Sequence, residues 1–336
     1  MIGQVKSQLS IIDGAFNRRK KNSRSDTLLE DINKFVNWVP LVDICGDIFK
    51  KSNRGRPTIP IIFSLKCLFL QSLYGLSDPG LEDALIDRLS FQRFLGIGFD
   101  EDIPDFSTIW RFRERLVKAE LFNTLFEMIV KQLEDQDIIL KKGTLVDATL
   151  VQAARGPSKK KENDKKSEES DQKNIRKDAQ QDNTATHTQK NKKRYYGYKG
   201  HIGLDQGSGV IRKKAFTTAS VHDSQKIDNL ISGDEKSVFG DKAYAKDERK
   251  RQMRKNGIYC GILDKGKRNH PLSGKQKERN KKKSRIRNAV ERPFAHFKNL
   301  YHYRRVRYVN LVRNDLHFTF LCMVHNIRRG IALSCA

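Results

Sequence analysis

The chain has 336 residues and carries 66 Lys and Arg against 40 Asp and Glu, a formal net charge of +26. Such a surplus points to a polyanionic partner, with an affinity for nucleic acid that falls as salt rises. The five cysteines are never spaced as CxxC, which argues against a zinc site and fits a reducing compartment. No signal-peptide pattern opens the sequence. The longest apolar run, Ile59–Leu73, is interrupted by Lys66 and is too short to span a bilayer.

In chain order, a basic cluster (Arg18 to Lys21) precedes a helical pattern over Asp26–Val39, with Leu28, Leu29, Ile32, Phe35 and Val36 on one side. Residues 53–57 read as a turn. Residues 58–140 read as an α-helical block. Its first helix starts near Pro60, runs to Tyr74 and stops at Gly75. A second is predicted over Leu81–Phe94, with Leu81, Leu85, Leu89 and Phe91 facing inward and Gly96 ending it. A third contains Thr108–Leu116, with Asp105 or Ser107 as its cap. A fourth covers Leu121–Leu133. Trp110, Phe112, Phe122 and Phe126 fall at helical spacing and read as core. Residues 80–117 have room for a helix-turn-helix, but the register does not decide it.

From residue 144 the pattern changes to strands. Strands are predicted at Thr144–Val151, Lys199–Asp205, Val210–Ala219, Ser237–Gly240 and Ile258–Leu263. Helices are predicted at Ser224–Ile231 and Lys246–Lys255. Three antiparallel strands followed by parallel ones reached through helices is a ribonuclease-H-like layout. The predicted fold is therefore α/β: a mixed five-stranded sheet with flanking helices over 141–336, preceded by an α-helical DNA-binding or assembly domain over 1–140. Two stretches look unable to bury a core. Arg155–Arg194 has 13 Lys/Arg, 7 Asp/Glu and one aliphatic side chain larger than Ala, Ile175. Asp264–Arg285 has 10 Lys/Arg against Asp264 and Glu278. Both read as flexible charged segments able to follow a phosphate backbone.

Three acidic residues stand out against this frame. Asp147 sits in a β-rich run, Asp241 directly follows the fourth strand, and Glu291 lies in a helical pattern over 285–298. Converging carboxylates can hold hard divalent cations, and two such ions can drive in-line displacement at a phosphodiester. Arg287, Glu291 and Lys298 are spaced to share one helical ridge. Val290, Phe294, Phe297 and Tyr301 form the adjoining apolar stripe. A salt-bridged surface face would give the same spacing. His201 and His222 fall near these elements and read more readily as hydrogen-bonded structural residues than as bases.

The order of these residues, with the Arg-x3-Glu-x6-Lys spacing, resembles the DDE transposases of bacterial insertion sequences. So do Tyr74-Gly75-Leu76-Ser77-Asp78, Ile103 to Thr108, Tyr196-Gly197-Tyr198-Lys199-Gly200-His201, Gly240 to Tyr244 and His325 to Arg329. Together these words look like insertion-sequence group five, from about residue 54 to 330. The resemblance implies Asp147, Asp241 and Glu291 as catalytic metal ligands for two Mg ions, with Mn able to substitute. It implies Arg287, Lys298, Lys242, Arg285 and Lys199 as DNA contacts, and Ser284 stands where related families carry a Tyr. It further implies a bacterial cytoplasmic, nucleoid-associated protein acting on double-stranded DNA, as a homodimer or higher multimer. Its activity would be binding of terminal inverted repeats, cleavage and strand transfer. A silent DNA-binding regulator and a metal-dependent nuclease without strand transfer remain alternatives from the sequence.

Overall fold

The computed structural model describes residues 24–46, 48, 59–98, 101–156, 182–190, 192–266 and 270–335. The basic cluster near residue 18 and most of the Arg155–Arg194 stretch lie outside the described residues. The chain forms two compact units, residues 1–138 with 319–336, and residues 139–318. Residues 319–336, placed by the sequence reading in the catalytic domain, belong to the first of these units.

The first unit is helical: α1 (Arg24–Phe35), α2 (Val39–Gly46), α3 (Ile61–Tyr74), α4 (Asp78–Asp87), α5 (Leu89–Leu95), α6 (Phe106–Lys118) and α7 (Leu121–Asp135). Every residue of α3 except Ile62 and Tyr74 is buried. Lys66 tolerates this position because its Nζ donates to the Phe94 carbonyl at 2.8 Å and lies 5.4 Å from the Trp38 ring and 5.2 Å from the Phe94 ring. Burial still pulls its pKa down to about 8. Gly75 stops α3 in the left-handed conformation at φ 66°. Ser77 then caps α4 by accepting from the Gly80 N–H, and Asp105 caps α6 from Thr108. Asp78 receives Arg113 through two bonds of 2.6 and 2.7 Å, with Arg113 2% exposed.

The predicted helix over Leu81–Phe94 is two helices. Arg88 is extended between them, and Gln92 Nε2 donates to the Leu85 carbonyl at 2.8 Å, satisfying a helix end that the break leaves open. Leu89, expected inward, is 36% exposed. Phe112, Phe122 and Phe126 are buried as predicted, but Trp110 is 47% exposed. The first predicted helix, Asp26–Val39, ends at Phe35, and α2 follows it.

The second unit is built on a sheet of β1 (Thr144–Gln152), β2 (Thr186–Lys190), β3 (Lys193–Asp205), β4 (Ile211–Thr218), β5 (Ser237–Gly240) and β6 (Tyr259–Cys260). The order is β2-β3-β1-β5-β6, with β4 also on β3. β1, β3 and β4 are antiparallel, whereas β5 runs parallel to β1 and β6 parallel to β5. This is the ribonuclease-H-like arrangement, with six strands rather than five. The extra strand, β2, comes from the stretch read as a flexible insertion. Residues 186–190 pair antiparallel with the first residues of β3, and the segment is pinned by Asp182, which is fully buried and accepts from the Tyr198 hydroxyl at 2.6 Å. The fifth predicted strand, Ile258–Leu263, pairs only over Tyr259–Cys260.

The remaining helices are α8 (Asp247–Lys255), α9 (Gly274–Arg287), α10 (Glu291–Asn299) and α11 (Leu311–Ser334). The predicted helix over Ser224–Ile231 is two 3-10 turns. The second charged stretch is also ordered. α9 opens with a capping box between Ser273 and Gln276 and continues to Arg287. A 3-10 turn (Asn288–Val290) separates α9 from α10. Pro293 in the first turn of α10 has no N–H to donate back to residue 289, so one unbroken α-helix from 285 to 298 is not available.

Candidate active site

β1 carries Asp147 one residue beyond its pairing with β5, which ends at Val146 opposite Gly240. Asp241 therefore leaves β5 next to Asp147, where it caps a 3-10 turn by accepting from the Lys242 N–H at 2.6 Å. Glu291 begins α10. That helix is docked by the predicted stripe: Val290 and Phe297 are fully buried, Phe294 and Tyr301 nearly so, and Phe297 lies 5.8 Å from Phe318 on α11.

Arg287 joins two of the three carboxylates. Its guanidinium donates to Asp147 Oδ2 at 2.9 Å and lies 3.5 Å from Glu291 Oε1. The sequence spacing anticipates the contact with Glu291, but not the longer-range one with Asp147. Burial pushes the Asp147 carboxyl above its ordinary pKa. The Ala148 N–H and Arg287 oppose that shift, while the negative charges of Asp241 and Asp223 add to it. Asp147 thus lies within electrostatic reach of two further aspartates and is bonded to the arginine that also reaches Glu291. Among the described residues, no three His, Cys, Asp or Glu side chains are gathered closely enough to hold a metal ion as they stand. Arg287 stands between Asp147 and Glu291.

Asp223 is the acidic residue that sequence reasoning missed. In the structure it pairs with Lys199 at 3.0 Å, and its charge is felt by Asp147, His201 and Tyr244. Tyr244 is buried, and burial followed by the Asp223, Asp147 and Asp241 charges drives its hydroxyl pKa well up. Both histidines are structural. His201 is fully buried, bonds Thr217 Oγ1 at 2.9 Å, and is held neutral by burial with a pKa of about 4. His222 caps a 3-10 turn through Ser224.

The cations expected to meet DNA differ in their freedom. Lys199 is engaged with Asp223 and with the Val221 carbonyl at 2.7 Å. Lys242 and Arg285 are exposed. Lys298 is half-buried, and its pKa is lowered by burial and then by the charges of Lys190 and Arg304.

The strand order and the placement of acidic residues on β1, after β5 and on a late helix define a ribonuclease-H-like catalytic domain. Residues 139–327 match the family described as "Transposase DDE domain", and residues 16–115 match "Transposase domain (DUF772)". The chain belongs to the DDE transposase family, of the insertion-sequence group five type. It is also similar to a solved structure titled "Cryo-EM structure of piggyBac transposase synaptic complex with hairpin DNA (SNHP)". That likeness covers 94% of this chain and 76% of the other, at 10% identity and a TM-score of 0.45. Transposases act on DNA, and DDE members generally use divalent metal ions. No described helix is long and apolar enough to cross a membrane.

Proposed function

We propose that this transposase binds the terminal inverted repeats of its own element, cleaves at their ends and joins the 3′ ends to target DNA. In this reading it works as a multimer on bacterial nucleoid DNA. The observation that best supports it is the electrostatic linkage of Asp147 to Asp241 and, through Arg287, to Glu291. The donor set fits a hard divalent cation: it is all carboxylate oxygen, and its like-charge crowding is of the kind a cation relieves. Asp147, Asp241 and Glu291 would hold Mg or Mn ions, two per site. The chemistry supplied by such ions, if bound there, would be activation of an attacking hydroxyl and stabilisation of the leaving 3′ oxygen.

The chain's own residues supply the rest. Arg287, drawn from the carboxylates by a phosphate, neutralises the scissile group, and Lys298 seven residues beyond Glu291 holds a neighbouring phosphate. Burial of Asp147 at the strand edge fixes one donor rigidly, while Glu291, with its side chain 63% exposed, can swing in to complete the set. Strand transfer exchanges one phosphodiester for another, so no nucleotide triphosphate is required. The sequence has no GxxxxGK[ST] motif.

The test is a pair of variants, Asp147→Asn and Glu291→Gln, assayed on end-containing duplex with Mg or Mn. Each should abolish cleavage while retaining end binding, because each removes a ligand but no phosphate-binding cation. Cleavage at the wild-type rate by either variant refutes the assignment.

A further inference from the structure

Beyond Val146, β1 has no strand partner on the β5 side among the described residues, apart from a single bridge between Gln152 and Arg305. A cleft of about 770 Å³ opens along this edge. Residues 148–152 form its floor. Glu291, Phe294 and Lys298 line it from α10, Lys190 and Tyr195 from the β2–β3 hairpin, and Arg304 from the segment after α10.

Three properties of the cleft are independent of one another. The first is size: about 770 Å³ lies within the range of a small-ligand pocket. It falls far short of a duplex, whose major groove alone is about 12 Å wide. The second is charge. Lys190, Lys298 and Arg304 all line the cleft, and the charges of Lys190 and Arg304 add to burial in lowering the Lys298 pKa. Among the described residues neither Lys190 nor Lys298 has an acidic partner, and Arg304 meets only the neutral Asn299 amide at 3.2 Å. Such a cluster is electrostatically incomplete until an anion enters. The third is the apolar lining. Tyr195 and Phe294 offer aromatic surface beside the cations, which is the combination that holds unpaired nucleotides by stacking and phosphate contact.

We propose that this cleft is a binding site for a short single-stranded DNA segment running away from the acidic centre. Its phosphates lie on Lys190, Lys298 and Arg304, and one unstacked base lies against Tyr195. The proposal rests on the reading of the chain as an end-cleaving transposase, because Glu291 stands at one end of the same cleft. It gives the β2–β3 hairpin a function: it forms the wall that separates a frayed or displaced strand from the duplex.

The experiment measures fluorescence anisotropy at fixed salt with two labelled probes, a blunt duplex and the same duplex carrying a short oligothymidine extension. The full-length protein should bind the extended probe more tightly than the blunt one. Tyr195→Ala should weaken binding to the extended probe about five- to a hundredfold, the effect of losing one stacked base, and leave the blunt duplex unchanged. Tyr195→Phe should behave as wild type, which separates loss of the ring from misfolding. Lys190→Gln should reduce the slope of log K against log salt by about 0.7 on the extended probe, the single-strand value for one phosphate. Equal affinity for the two probes, or an undiminished preference in Tyr195→Ala, overturns the proposal. Its failure is distinguishable from failure of the transposase reading. If Asp147→Asn stops cleavage but no preference for the extension exists, only the single-strand site falls. If the preference exists but wild-type protein never cleaves, the catalytic reading falls.

Discussion

Helix α9 places Arg287 in the active site, yet it has almost nothing apolar with which to dock. Its one large hydrophobic residue, Ile286, is 38% exposed, and its only buried residue is Lys283. What holds the helix is polar. Lys283 Nζ donates to the Ile262 carbonyl at 2.9 Å and lies 3.7 Å from Asp264 Oδ2. Asn280 accepts from the Asp264 N–H at 2.9 Å and donates to its carbonyl at 3.1 Å. Asp264 is fixed in turn by Lys250 at 2.6 Å. Lys283→Met keeps the packing of the stem and deletes the ammonium. A hydrogen bond from a charged, buried donor contributes about 1.5–3 kcal/mol. Losing it should raise the undocked population of α9 roughly ten- to a hundredfold if the helix opens as a local unit. The assay is native-state amide hydrogen exchange resolved over 274–287. Protection should fall by that factor in α9 and stay unchanged in β1 and β3. If α9 opens only with the whole unit, the same loss would appear as a drop in Tm of roughly 3–12 °C with no selective exchange in the helix, and the local-docking argument would be refuted.

Lys298→Ala should impair end processing while changing stability by less than about 0.5 kcal/mol, since removal also relieves crowding with Lys190 and Arg304. Normal cleavage on end-containing duplex would return Lys298 to an ordinary helix residue. Lys66 makes stability depend on pH. Its folded pKa of about 8 lies below the ordinary 10.5, so the unfolded chain binds more protons between those values and stability should rise with pH across that window. Lys66→Met should flatten this rise in urea midpoints, and an unchanged slope would show that another group is responsible. Asp78→Ala takes the ion partner from the Arg113 guanidinium, which is 2% exposed and also bonds the Gln71 amide oxygen at 3.4 Å, and should cost about 3–5 kcal/mol. The double variant with Arg113→Met should recover much of that in chemical denaturation. A loss below about 1 kcal/mol in the single variant would mean the pair is not important to the helical unit.

What the sequence disclosed, and what it hid, divides along physical lines. Local backbone chemistry was legible in part: Gly75 stops a helix, Asp105 starts one, and apolar runs mark β1 and β4, whereas the Ser77 cap went unread and its helix was begun at Leu81. The α10 stripe was legible because Val290, Phe294 and Phe297 repeat at helical spacing. Elements held by long-range polar contacts were not. β2 depends on Asp182 meeting Tyr198, and α9 on Lys283 meeting a carbonyl 21 residues away, so composition alone made both look unstructured. The three acidic positions stood out by their placement. Arg287 bonding Asp147 joins residues 140 apart, and the nearness of Asp223 to that carboxylate needs the fold to be seen. Lys190 was hidden because it falls in the stretch read as an insertion, and Tyr195 because it lies between that stretch and the strand predicted from Lys199.

β3 runs without interruption from Lys193 at the hairpin turn to Asp205 beside the start of β1. A pleated strand has a strict parity, since neighbouring side chains face opposite ways. Tyr195 and Gly197 reach the cleft, and Lys190 shares their side through its pairing with Lys193. Adding one residue to each arm of the hairpin would turn the basic and aromatic groups beyond the insertion to the opposite surface without disturbing a single ladder bond nearer the acidic centre. Adding two to each would restore them and lengthen the arm by roughly 7 Å. The hairpin can therefore change its reach only in even steps, like a gauge with notches at every second tooth.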